Sequence, residues 1–177
     1  MESAKPNPPL FWGVLATVVA LDVVTKVLAV ANLSPQHIPH NVLGEHLRFT
    51  LVYNPGAAFG LNLGQYSRWI FMALTIGALV VLWRLYQATR QGDLYRTLAL
   101  GLVCGGAVGN LIDRVRSPLG VVDFIDVGLR DMRWPTFNIA DMAVSIGAFL
   151  LAWVLWGEER ETAMVRAAPV SETSTEG

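Results

Sequence analysis

Two aspartates, Asp123 and Asp141, have the clearest capacity for chemistry in this chain. Asp123 sits in Val121-Val122-Asp123-Phe124, apolar on both sides, and Asp141 closes Phe137-Asn138-Ile139-Ala140-Asp141 at the head of a long apolar block. Two carboxyl groups held close in a low-dielectric site cannot both ionise, so they share one proton and titrate as a pair. One can then act as general base on a water while the other protonates a carbonyl, which hydrolyses a peptide bond with neither metal nor covalent intermediate. Eighteen positions separate the two residues, enough for a chain reversal. Spacing alone does not establish that they meet. Asn138 and Asp141 also make a capping-box-like pattern, so a structural role as a helix cap stands beside the catalytic one. Asp126, three residues after Asp123, is a rival partner if that segment is helical.

Further polar residues stand where apolar ones are expected. Asp22 lies about 18 Å along a helix from Leu10, deep in a hydrocarbon core about 30 Å thick. An ionised carboxylate there costs roughly 2.5–3.5 kcal/mol. Lys26, four residues on, shares its helix face and lies nearer the outer end, where it can snorkel. The pair reads either as a packing ion pair or as a substrate contact in a cavity. Gly109-Asn110-Leu111-Ile112-Asp113-Arg114 places an amide, a carboxylate and a guanidinium at one helix end. An Asp113–Arg114 pair closing the helix and an arginine reaching a substrate carbonyl or phosphate are compatible readings. Gly101, Gly105 and Gly109, with Gly106 beside them, form a small-residue face for close helix packing.

Other chemistries find little support. There is no H-E-x-x-H, G-x-S-x-G, P-loop or G-x-G-D pattern, and a serine–lysine dyad is hard to place because the lysines are Lys5 and Lys26. One cysteine, Cys104, excludes an intrachain disulfide and a cysteine metal cluster. His37 and His40 could share a metal, but loop histidines without carboxylates are usually solvated, so no metal or cofactor is expected. The net charge of −1 suggests neither nucleic acid nor a polybasic lipid clamp.

The elements that must position these residues are membrane helices. Of the 177 residues, 53% are hydrophobic and 15% charged, against about 45–50% and about 25% in soluble chains. The apolar residues fall into four blocks, predicted as spans over about 10–31, 67–86, 95–113 and 138–157. Trp12, Tyr66, Trp69, Trp83, Tyr86, Trp134, Trp153 and Trp156 mark several of their ends, as interfacial rings do. The first span is too long and too charged for a cleaved signal peptide. Four spans put both termini on one side, but the basic residues of the two sides balance, six against six with Lys26 left in the membrane. Residues 46–53 alternate like a short strand, with a turn at Asn54-Pro55-Gly56. A single integral-membrane domain is expected over residues 1–160, with 161–177 as a disordered tail.

Five blocks, in order between about residues 14 and 157, resemble the lipoprotein (type II) signal peptidases. They are Leu21-Asp22-Val23-Val24-Thr25-Lys26, Asn54-Pro55-Gly56-Ala57-Ala58-Phe59-Gly60, Gly109 to Arg114, Val121 to Phe124, and Phe137 to Asp141. The resemblance implies an all-α membrane fold: a four-transmembrane-helix bundle with a small extracytoplasmic β-cradle near 45–60 and a mobile helix or loop near 125–135 over the site. It implies an aspartic endopeptidase of the bacterial inner membrane, both termini cytoplasmic, working near the extracytoplasmic face among membrane phospholipids, and read as a monomer. It would cut prolipoproteins just before a cysteine carrying diacylglycerol. Asp123 and Asp141 match the family's catalytic pair. Asp22, Lys26, Asn54, Gly56, Asn110, Arg114 and Asn138 match positions that shape or contact the substrate site, and Asp113 is expected to support Arg114. Gly60 departs from the serine often found there.

Overall fold

The computed structural model describes residues 7–56, 64–129 and 132–167. Its elements follow in the order α1 (Pro8–Asn32), β1 (His40–Leu43), β2 (Leu47–Asn54), a 3₁₀ turn (Gly64–Tyr66), α2 (Ser67–Gln87), α3 (Leu94–Arg116), β3 (Val121–Leu129), β4 (Met132–Arg133) and α4 (Ile139–Ala167). The starts of three helices are fixed by side chains. Asn7 accepts from the Leu10 N–H ahead of prolines in the first turn of α1, which suit that position because it needs no N–H. Asp93 accepts from the Arg96 N–H to begin α3. Asn138 accepts from the Asp141 N–H, and Asp141 returns the bond from the Asn138 N–H.

All four helices are long and apolar enough to cross a membrane. Their outward surface agrees with that. Leu21, Val24, Val27 and Leu28 on α1, Trp69, Leu74, Val80 and Val81 on α2, and Ile146, Phe149 and Trp153 on α4 are exposed. So much apolar surface suits a lipid solvent. The chain is a multi-pass membrane protein. Seven of the eight aromatic end-markers are exposed, but Tyr86 is buried and stacked on Phe11 at 4.0 Å between centroids.

α3 is the centre of the bundle and packs on α1, α2 and α4. Its glycines make this possible. A Cβ at Gly101 or Gly105 would lie 3.1 Å or less from Val14 or Val18 of α1, and one at Gly106 would lie 2.3 Å from the Ala140 carbonyl oxygen of α4. Two faces of α3 are therefore stripped for two different neighbours. The helices lack a hydrophobic drive to associate in lipid, so such close packing has to supply it.

The sheet, in the order β1-β2-β3-β4 and antiparallel throughout, caps one end of the bundle. Leu51, Val122 and Phe124 from the sheet pack with Ala29 and Leu33 from the end of α1. The strand expected over 46–53 is β2. The segment near 125–135, expected as a helix or loop, is instead the end of β3, β4 and the chain leading to α4. Its alternating residues pair with β2 as far as Val127. α4 runs to Ala167, through the first seven positions of the expected tail; residues 168–177 lie outside the described residues, as does Gly60.

Replacing Gly106 with alanine forces the Ala140 backbone outward and is expected to cost about 1–3 kcal/mol. Gly77, with nothing within 4 Å of its Cβ position, should accept alanine without loss. Unfolding in mixed micelles would distinguish the two; equal stabilities would mean that the α3–α4 contact does not hold the bundle together.

Candidate active site

The sheet delivers Asp123 and α4 delivers Asp141 to one cavity of about 740 Å³ at the capped end of the bundle. Gly120, at φ +101°, makes the turn into β3. Any side chain there would meet the Asn54 carbonyl, since a Cβ would stand 2.1 Å from it. That contact sets Val121 opposite Asn54 and Asp123 opposite Val52. Asn54 and Asp123 thus lie diagonally across neighbouring strands, within reach of each other.

Three asparagines hold the two carboxyls. Asp123 accepts from Asn138 Nδ2 at 2.7 Å and from Asn54 Nδ2 at 3.2 Å. Asp141 accepts from Asn110 Nδ2 at 2.8 Å and from the Asn138 backbone N–H at 3.2 Å. Each amide is oriented by a donor on its oxygen. Asn54 Oδ1 takes the Gly56 N–H, Asn138 Oδ1 takes the Asp141 N–H, and Asn110 Oδ1 takes Lys26 Nζ. None of these donors can accept, so each amide must turn its NH2 group toward the dyad.

Asp123 is only 2% exposed. Burial pushes its carboxyl up to about 7, and the neighbouring charge of Asp141 adds to the rise against the hydrogen bonds from Asn54 and Asn138. The ordinary value is near 3.9, so Asp123 can keep a proton in weakly acidic to neutral solution.

Arg114 closes the cavity from α3. Its guanidinium donates to the carbonyls of Asn110 at 3.2 Å and Gly56 at 2.9 Å, and its buried Nε has no partner among the described residues. Gly56 therefore serves through its backbone, linking Asn54 to Arg114.

Asp22 and Lys26 do not line the cavity. They lie behind Asn110, at 0% and 3% exposure. Lys26 Nζ contacts Asp22 at 2.7 Å, Asp113 at 2.8 Å and Asn110 Oδ1 at 2.9 Å. Lys26 therefore does not snorkel, because three oxygens within the bundle hold it. Asp113 supports Lys26 and the Val122 N–H, and makes no hydrogen bond to Arg114. Arg114 is held instead by the two carbonyls.

Asp126 is no partner for Asp123. On a strand, residues three apart face opposite sides. Asp126 binds Arg48 and Arg133 at 2.9 and 2.6 Å and accepts from Thr50. Burial alone would raise its carboxyl, but hydrogen bonds from Arg133, Arg48 and Thr50 outweigh it and hold the group below its ordinary range.

Sequence reasoning missed the cavity wall. Trp134, Thr136 and Phe137 form one side, and Met142, Ser145 and Ile146 form the other. The α4 members follow Asp141 at helical spacing, a signal the sequence carried. It also missed Arg68, which donates to the Arg114 and Val115 carbonyls at the end of α3; nothing in its neighbourhood marks it.

The signal peptidase (SPase) II family model matches residues 14–157. A lipoprotein signal peptidase of Polynucleobacter necessarius is 39% identical over 155 residues, covering 86% of this chain and 90% of its own. One from Mycobacterium avium is 41% identical over 157 residues, covering 83% and 81%. A bacterial membrane enzyme solved by the in meso method superposes with a TM-score of 0.79 at 31% identity, covering 90% of this chain and 94% of that one.

Hydrolysis that needs one proton shared by the dyad should fall as pH rises through about 7, where Asp123 loses its proton; a pH profile of kcat/KM that stays flat to pH 9 would refute this. Asp126→Asn should cost about 1–3 kcal/mol by weakening the hydrogen bonds to the partly exposed Arg48 and Arg133, while single-turnover cleavage stays within about two-fold of wild type.

Proposed function

Because the chain belongs to the signal peptidase II family, and is thus a membrane peptidase that removes signal peptides from prolipoproteins, we propose that Asp123 and Asp141 are its catalytic pair. The observation that carries this reading is their convergence on one cavity, each held by amide N–H donors of fixed orientation.

Both carboxyls accept from a donor on each oxygen, so burial divides the roles: Asp123, with its raised pKa, holds the shared proton, and Asp141 serves as the base. A water between them gives a proton to Asp141 as its oxygen attacks the scissile carbonyl carbon. The Asp123 proton passes to the carbonyl oxygen, giving a neutral gem-diol. Collapse breaks the C–N bond: the Asp141 proton goes to the departing nitrogen, and a diol hydroxyl returns a proton to Asp123. The dyad ends as it began. Arg114, whose Nε has no hydrogen-bond partner among the described residues, has a donor available for a substrate carbonyl.

The substrate bond is the one just before a diacylglyceryl-modified cysteine. The apolar wall of Trp134, Phe137, Met142 and Ile146 supports this, since an acyl chain bound there leaves water at low cost. The site belongs at the extracytoplasmic face of the bacterial inner membrane, with both termini cytoplasmic. The sheet and cavity share one end of the bundle, and Arg84, Arg90 and Arg96 flank the α2–α3 connection at the other, which the positive-inside tendency favours. Every proposed site residue comes from one chain, which suits a monomer, and the apolar flanks of α2 and α4 suit contact with membrane phospholipids. The working domain covers residues 1–160.

Asp123→Asn and Asp141→Asn should each lower cleavage of a lipid-modified peptide by at least about 1,000-fold, with unchanged membrane insertion and detergent elution volume. Normal turnover by either variant would rule the pair out.

A further inference from the structure

Lys26 is a full positive charge sealed inside the bundle, out of contact with the cavity, and only one of its three partners touches the dyad. Asp22 of its own helix and Asp113 of α3 would together be enough to neutralise it. Its third bond, to Asn110 Oδ1 at 2.9 Å, decides something else. An amide can present either end to a neighbour. Asn110 has an acidic neighbour on one side, Asp141 at 2.8 Å, and also receives Asn138 Nδ2 at 3.1 Å on its oxygen. Lysine can only donate, so with Lys26 in place the Asn110 oxygen is committed and its NH2 group must face Asp141.

We propose that Lys26 is a positioning residue for hydrolysis: by fixing the Asn110 amide it keeps a donor on Asp141, which makes Asp141 the base and leaves the shared proton to Asp123. This rests on the catalytic pair proposed above. It gives the intramembrane ion pair a role in the reaction and removes Lys26 from the substrate's contacts.

The charges around Lys26 support the reading. From α1 it faces Asp22, and from α3 it faces Asp113 and Asn110, with Arg114 one residue on. β3 contributes Asp123, whose carboxyl feels the lysine charge, and the Val122 N–H on Asp113. α4 contributes Asp141 and Asn138 through Asn110. Four carboxyls thus share two cations, Lys26 and Arg114. Without Lys26 the Asn110 oxygen keeps only the longer bond from Asn138 Nδ2 at 3.1 Å, so the NH2 group that Asn110 presents to Asp141 at 2.8 Å is held less firmly.

Lys26→Met alone strands Asp22 and Asp113 without a counter-charge, so the test uses the charge-balanced pair Lys26→Met/Asp22→Asn beside Lys26→Arg. Asparagine at 22 keeps the oxygen that accepts the Ala140 N–H. Full-length protein in detergent would be assayed on a diacylglyceryl-modified peptide from pH 5 to 9. The expected result for the double variant is a kcat lower by about 100-fold, a KM within about two-fold, and a pH–rate profile displaced upward. Lys26→Arg, which keeps the charge and the donor, should recover part of the kcat and return the profile toward wild type. A double variant with wild-type kcat and pH profile would overturn the proposal, as would a raised KM at unchanged kcat, which would make Lys26 a substrate contact. Asp123→Asn and Asp141→Asn, run alongside, separate the two ideas. If they cleave normally the catalytic pair itself fails; if they are inactive while the double variant is normal, only the role of Lys26 fails.

Discussion

A carboxylate inside a bilayer must be met by protein, because lipid offers it nothing. Asp22 is where three helices meet that demand. One of its oxygens takes the Ala140 N–H of α4 and the other takes Lys26 Nζ of α1. Gly109 of α3 lets α3 close over it, since a Cβ there would stand 2.5 Å from the carboxylate. The Ala140 N–H is a first-turn donor that an α-helix cannot satisfy from within. Asp22 thus caps α4 from another helix and ties the start of α4 to the middle of α1. Asp141 lies one residue beyond that joint, so the position of a proposed catalytic group depends on a charge buried at membrane depth.

The same demand runs outward from Asp22 through a chain of groups with no freedom to reorient. Lysine and backbone N–H groups only donate, and carboxylates accept. Between them, Asn54, Asn110 and Asn138 can be satisfied in only one orientation each. In water a flipped amide would be repaired by solvent. In this bundle a flip would set oxygen against oxygen, with the full penalty of an unmade buried bond. The low dielectric that makes the residues expensive also makes their arrangement unique.

Several acids of this chain share one end of the fold yet have different fates, and the cause lies in what surrounds each of them. Asp126, on the outer side of β3, meets two arginines and stays ionised. Asp113 is committed to Lys26 and to the Val122 N–H. Asp123 accepts hydrogen bonds from neutral amides and faces a second carboxylate, and its burial outweighs the more distant Lys26 charge, so it is the acid that can hold a proton near neutrality. A strand creates this division: its alternation sends Asp123 inward to the cavity and Asp126 outward to the arginines.

Much of this architecture was legible from the chain alone. The four spans followed from the length of the apolar runs, because a bilayer admits little else. The glycine face of α3, the Asn138–Asp141 cap and the β2 strand followed from local spacing. The two catalytic candidates stood out as acids in apolar surroundings, and the order of five short blocks pointed to the family. The tertiary structure decided what local periodicity cannot encode, namely which groups meet across long sequence separations. It moved Asp113 from Arg114 to Lys26, withdrew Asp22 and Lys26 from the cavity, and set Asp126 on the far side of a strand. It also supplied the cavity wall and Arg68. A sequence states which residues carry charge. Only the folded bundle, by excluding water, dictates which partner each charge must take.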